Sequence, residues 1–202
     1  MVHSSVSGLF IYTKTFIALV VLFCYYANMN VIAPVILSKY DPNWVAVFNK
    51  EKEIISKAFG EDDLLIEHIG STAIAGSVAK PEIDILIGLE KLEDAMAYIE
   101  PLKKIDYVYY QRFEEFVPER RYFRKSEGIT PLFHIHMVEA TSDFYKDHII
   151  FRDYLNNHPE IVKEYNQLKQ NLIVKFNNDR KSYSKGKEEF IFKILKMIKT
   201  ER

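Results

Sequence analysis

Gly70-Ser71-Thr72, followed by Lys80-Pro81-Glu82-Ile83-Asp84, is the stretch of this chain whose residue types could do chemistry. Glycine lets the backbone bend sharply and lets a ligand approach the main chain. Ser71 and Thr72 suit the cap of a helical turn, where free N–H groups favour an anion such as phosphate. Residues two apart on a strand project from one face, so Glu82 and Asp84 share a side while Ile83, Ile85 and Ile87 share the other. Two carboxylates on a strand otherwise fit for burial are costly unless a metal, a base or a substrate meets them.

Further candidates lie downstream. Phe133 to Val138 alternates, so His134 and His136 fall on one strand face opposite Phe133, Ile135 and Met137. Two imidazoles so placed could bind a metal or complete a site with the acidic strand, and they equally fit buried, hydrogen-bonded histidines. Arg121 and Arg124 flank an aromatic strand, and forked guanidiniums suit phosphate oxygens. Alternatively they join Arg112, Arg120, Glu114, Glu115 and Glu119 as the solvated charges of a hairpin.

The elements that must position these groups read as strand, tight turn, one or two helical turns, and strand, with Leu64–Ile69 entering the turn. Val31–Leu37 is a candidate strand before it. Asp41 and Pro42 start an amphipathic helix carrying Trp44, Val47, Phe48, Ile55 and Phe59 toward Gly60, and Trp44 reads as core. After Gly88, Leu92, Met96 and Ile99 mark a helix that Pro101 ends or kinks. Tyr107 to Gln111 has strand character. Ser142 caps a helix that stops before Pro159, where the next begins, and residues 177–185 read as a loop before a last stripe of Ile191, Ile194, Leu195 and Ile198.

The wording HIGSTAIAG with AKPEIDI resembles the GrpB family of the nucleotidyltransferase superfamily, and is similar to a domain appended to some dephospho-CoA kinases. The resemblance extends through Tyr40-Asp41-Pro42-Asn43-Trp44, Arg120 to Arg124, His134-Ile135-His136 with Glu139, Phe151 to Leu155, and Tyr183 to Ile191 with Lys187. It implies a mixed α/β or α+β sheet flanked by helices, with a C-terminal helical segment. It also implies a magnesium-dependent nucleotidyltransferase: Asp84 and Glu82 are catalytic and, with His136, hold Mg2+. Gly70, Ser71, Thr72, Lys80, Arg121, Arg124, His134, His136 and Lys187 bind the substrate nucleoside triphosphate. The acceptor is an unidentified small molecule or protein. Superfamily sites normally add a third carboxylate from another strand. None is identifiable here, since Glu139 lies at a strand end and His134 or His136 stands in its place. That departure keeps two other readings open, a non-catalytic nucleotide- or CoA-related binding domain and an interaction module using the aromatic surface.

A 202-residue chain with net charge −1 suits one globular domain and gives no bulk attraction to nucleic acid. The single cysteine, Cys24, excludes an internal disulfide, and a cytoplasmic setting is expected for the domain at 31–202. Residues 1–30 differ in composition: Leu9 to Ala27 is apolar apart from Thr13, Lys14 and Thr15. That stretch reads as an upstream extension, a marginal membrane anchor or a signal sequence.

Overall fold

The computed structural model describes residues 36–60, 64–128, 130–177 and 179–200. Five strands form one mixed sheet in the order β1-β2-β5-β4-β3: β1 (Leu65–Ile69), β2 (Ile83–Leu89), β3 (Val108–Tyr109), β4 (Arg121–Glu127) and β5 (Thr130–Glu139). Only β2 and β5 run parallel; the other neighbours are antiparallel. This is the mixed sheet flanked by helices that the sequence implied.

The alternation in β2 and β5 divides the sheet into two chemically different faces. Ile83, Ile85, Ile87, Phe133, Ile135 and Met137 pack with Phe123 against α1 (Asn43–Phe59), which contributes Trp44, Phe48 and Ile55. Asp41 Oδ1 accepts the Asn43 N–H at 2.9 Å, and Gly60 ends α1 in the left-handed region at φ 70°. The other face is mostly polar, with a small apolar patch of Ile69, Leu86 and Val138 under Phe144. Phe144 belongs to α3 (Asp143–Asn157), whose start is capped by Ser142 Oγ accepting from Tyr145 N. The helices α4 (Pro159–Phe176) and α6 (Glu188–Thr200) pack with α3 around Leu155, Val162, Tyr165 and Ile194. Ile74, from the segment after the Gly-Ser turn, is buried in that helical cluster and not in the sheet core.

Several expectations are corrected. Of the loop expected at 177–185, residues 180–185 are helical: α5 (Arg180–Gly186) forms because the Asp179 side chain caps it, accepting from Lys181 N and Ser182 Oγ. The helix marked by Leu92 and Met96 is a 3₁₀ segment, Leu92–Tyr98, followed by α2 (Ile99–Lys103). Pro101 lies within the first turn of α2, where its missing N–H has no intrahelical acceptor to lose. The strand at Tyr107 to Gln111 shrinks to Val108–Tyr109, and Gln111–Glu115 turns into 3₁₀ geometry. Arg120 is no solvated charge, being buried over the Tyr122 ring at 5.2 Å. Of the strand expected at 31–37, residues 31–35 lie outside the described residues; Ile36 and Leu37 are not in a strand, and Ser38 bridges to Ala79. The apolar stretch at 9–27 also lies outside the described residues, among which no helix is long and apolar enough to cross a membrane.

Ile85 is fully buried at the centre of the larger core. Replacing it with alanine is expected to cost about 2–5 kcal/mol, read as a lowered urea midpoint with unchanged m-value.

Candidate functional site

The turn between β1 and β2 sits where the polar sheet face meets the C-terminal helices. Ile69 and Asp84 are register partners, so the chain leaves β1 directly beside the first turn of β2. Gly70 has φ 75°, and the space that a side chain there would need is filled by the Asp84 carboxylate. Only glycine therefore allows the carboxylate to lean over the turn. Ser71–Ala73 makes a single 3₁₀ turn, the lower bound of the one or two helical turns expected. The Thr72 hydroxyl is engaged within the protein: it donates to Glu82 O at 3.3 Å, leaving the oxygen to accept from His68 Nε2 at 3.0 Å.

The segment from Ala73 to Val78 has little secondary structure of its own and is held by side chains from the helices. Asn156 of α3 donates to Ala73 O at 3.0 Å and accepts from Ala75 N at 2.9 Å. Asn166 of α4 repeats the arrangement with Gly76 O and Val78 N, both at 2.8 Å. Lys169, one turn further along α4, donates to Ser77 Oγ at 2.6 Å and to Val78 O, and lies 3.5 Å from Ser71 Oγ. Backbone groups that no strand or helix satisfies thus find partners in amide side chains.

Two carboxylate–imidazole pairs line the parallel strands. Glu82, immediately before β2, takes Lys80 Nζ at 2.5 Å and has His134 Nε2 at 3.5 Å from the same oxygen. Asp84 Oδ1 lies 3.8 Å from His136 Nε2. The carboxylates stand in front, with Asp84 24 % and Glu82 12 % exposed, and the imidazoles are buried behind them. Tyr122, from β4, closes the row with its hydroxyl 2.6 Å from His134 Nδ1. Glu139, at the far end of β5, bonds Leu92 N and takes no part.

Burial sets the charge states. It raises the Asp84 carboxyl above the usual carboxylate range, against the opposing pull of His134 and Lys80. It lowers His68, His134 and His148 to about 4 each and His136 well below its ordinary value, with the Arg120 guanidinium adding to the depression of His136. Burial also holds the Tyr122 hydroxyl in its protonated form. At neutral pH the imidazoles of the site are therefore uncharged, and Asp84 is a carboxyl that holds its proton more tightly than an exposed one.

A cavity of about 140 Å³ joins these groups. Gly70, Ser71, Thr72, Lys80, Glu82, Asp84, His134, His136 and Lys187, all named as candidates from the sequence, border it. Arg121 and Arg124 do not. Three positions apart on β4, they project from opposite faces of the sheet, and Arg121 pairs with Met137 on the α1 side while its guanidinium meets Glu114 and Pro118 O. Arg124 shares the polar face, but Nη2 donates to Tyr110 OH at 2.6 Å. Sequence reasoning missed Asn156, Asn166, Lys169, His148 and Arg152. Lys169 carried a signal, a cation within the buried stripe of Val162, Tyr165 and Leu172, and Arg152 carried another, since it lies in the Phe151 to Leu155 stretch of the family resemblance. Asp84 and Glu82 could hold a hard cation, although among the described residues no three acidic, histidine or cysteine side chains gather as a metal cluster.

Two outcomes are expected. Gly70→Ala places a methyl group against the Asp84 carboxylate at a positive φ, and should destabilise the fold by more than about 1 kcal/mol in urea unfolding. Secondly, His68 and His134 each have a folded pKa depressed below the unfolded value, so between about 4 and 6.5 the unfolded chain binds more protons. Stability should accordingly rise with pH through that window and be lost as pH falls through it. Unfolding titrations should show a slope smaller by up to about 1.4 kcal/mol per pH unit in His134→Asn than in the wild type.

The GrpB protein family matches residues 34–197 of this chain. The glutamate-rich protein GrpB of Alkalihalophilus pseudofirmus is 41 % identical over 165 residues, covering 80 % of this chain and 94 % of that protein. The UPF0157 protein YqkA of Bacillus subtilis is 38 % identical over 152 residues, which are 75 % of this chain and 43 % of that protein. The crystal structure of GrpB from Enterococcus faecalis superposes with a TM-score of 0.71 at 32 % identity, covering 80 % of this chain and 96 % of that one. The Gly-Ser turn, the acidic strand beside it and the matched span agree, and the chain belongs to the GrpB family.

Proposed function

We propose that the cavity binds a nucleoside triphosphate and that the protein transfers its nucleotidyl group to a small-molecule or protein acceptor. The observation that carries this reading is the Asp84 carboxylate seated on Gly70 in the same cavity as Ser71, Lys80 and Lys187. Phosphate oxygens would take the Ser71 hydroxyl and the two ammonium groups. Asp84 and Glu82 would hold Mg2+, whose remaining positions go to phosphate oxygens and water, a sparse protein set that magnesium favours. The ion would supply neutralisation of charge at the reacting phosphates. In the reaction an acceptor oxygen bonds to the α-phosphorus, the bond from that phosphorus to the α–β bridging oxygen breaks, and pyrophosphate leaves. The chain's contribution is positioning: rigid clamps on the turn and neutral imidazoles that support the carboxylates without cancelling their charge.

One observation favours a second reading, that of a non-catalytic nucleotide- or CoA-related binder. Glu82 is already engaged by Lys80 at 2.5 Å, which leaves Asp84 as the more available carboxylate.

A thermal-shift series with nucleoside triphosphates, with and without Mg2+, separates the readings. A ligand at a hundred times its dissociation constant adds about 2.7 kcal/mol, a rise of about 5–10 °C for a domain of this size. Transfer requires a magnesium-dependent rise, pyrophosphate release with an acceptor-containing extract, and loss of both in Asp84→Asn. A rise that survives Asp84→Asn and the absence of Mg2+ supports the binder. No rise with any triphosphate overturns the nucleotide reading.

A further inference from the structure

Lys169 is 1 % exposed and sits beneath the Gly-Ser turn, a buried amine that the proposed chemistry does not itself use. Facing it are Ser71 and Ser77 and the carbonyl of Val78 from the turn segment, the ring of Tyr165 at 4.3 Å on its own helix, and the charge of Lys187 from the junction of α5 and α6. Among the described residues no carboxylate bonds to it or pairs with it. A lone ammonium so enclosed would lack the counter-charge that buried cations require. Burial, with the like charge of Lys187 added, brings the amine down to about 6.

A neutral amine has two hydrogens and one lone pair, and the surroundings match that inventory. It donates to Ser77 Oγ and Val78 O, and its lone pair is available to accept the Ser71 O–H. In that state the Ser71 hydroxyl points inward and is spent. An anion in the cavity changes the balance, because a nearby negative charge favours the protonated amine. With three hydrogens, Lys169 must donate to Ser71 Oγ, which turns the serine O–H outward toward the anion.

We infer that Lys169 is a positioning residue that takes up one proton when a phosphate oxygen binds at Ser71, so that the serine hydroxyl is aimed at the ligand only in the bound state. This rests on the phosphate-binding reading of the cavity. Lys169 never touches the ligand and acts through Ser71. The proton comes from solvent, and phosphate binding is consequently weaker at high pH.

The test is calorimetric titration of inorganic tripolyphosphate into the full chain, at several pH values between about 6.5 and 8.5, in buffers of different ionisation enthalpy. The phosphate's own titration is common to all proteins compared and cancels in the difference. Wild type is expected to take up close to one proton more than Lys169→Met or Ser71→Ala, and its affinity should fall more steeply than theirs, by up to about tenfold per pH unit. Should Lys169→Met fail to fold, Ser71→Ala keeps the comparison, and NMR of lysine Cε carbons follows the charge of Lys169 in unaltered protein. There the expected result is a neutral amine at about pH 7.5 that becomes charged on adding tripolyphosphate. Equal proton uptake in wild type and Ser71→Ala, or a Lys169 signal unmoved by saturating ligand, overturns the inference and leaves the nucleotide reading standing. Failure of wild type to bind tripolyphosphate or any nucleoside triphosphate removes both.

Discussion

The contact on which the site depends is that between the backbone of Gly70 and the carboxylate of Asp84. Strands β1 and β2 are antiparallel, so their joined ends place residues 69 and 84 side by side, and the register alone would bring two side chains into the same space. Absence of a Cβ at residue 70 resolves the conflict in favour of the acid. The same glycine takes a positive φ that swings the following serine toward the helices. One residue therefore satisfies a packing demand and a conformational demand, and each would by itself exclude other amino acids.

Around that contact the protein manages charge by leaving its buried imidazoles uncharged. The imidazoles of His134 and His136 stand behind the carboxylates, too deeply buried to take a second proton at neutral pH. An imidazolium in either place would neutralise the acid in front of it. Neutral rings instead supply polar, rigid support, and the protonated hydroxyl of Tyr122 fixes His134 through Nδ1, the nitrogen turned away from Glu82. Lys80 is a cation partner for Glu82, and it makes the two carboxylates unequal: both border the cavity, but Glu82 is tied to an ammonium at 2.5 Å.

How much of this was legible depends on whether the cause was local. Alternation along residues 82–87 and 133–138 placed both histidines, both acids and the core isoleucines on the correct faces, because strand geometry fixes side-chain direction within two residues. The positions of Arg121 and Arg124 were legible by the same rule, since an odd spacing on one strand separates them, yet their shared motif suggested a shared site. Helix α5 was hidden behind a polar sequence whose only signal is the capping Asp179. Asn156 and Asn166 gave no signal at all: each looks like an ordinary polar residue on an amphipathic helix, and the carbonyls they satisfy lie 83 and 90 residues away.

Those long-range clamps bear on how the site comes into being. A segment whose backbone is satisfied by side chains from α3 and α4 has no stable conformation until both helices have docked, and pairings over such separations are entropically expensive to close. The burial of Ile74 among Leu155, Val162, Tyr165 and Ile194 supplies the apolar free energy for that docking, and the asparagine amides then fix the register of the segment. The Gly-Ser turn is thus a joint property of the sheet and the helical layer. Loosening α4 would release Lys169 and Asn166 together, and the turn would lose its floor and one of its two clamps in the same event.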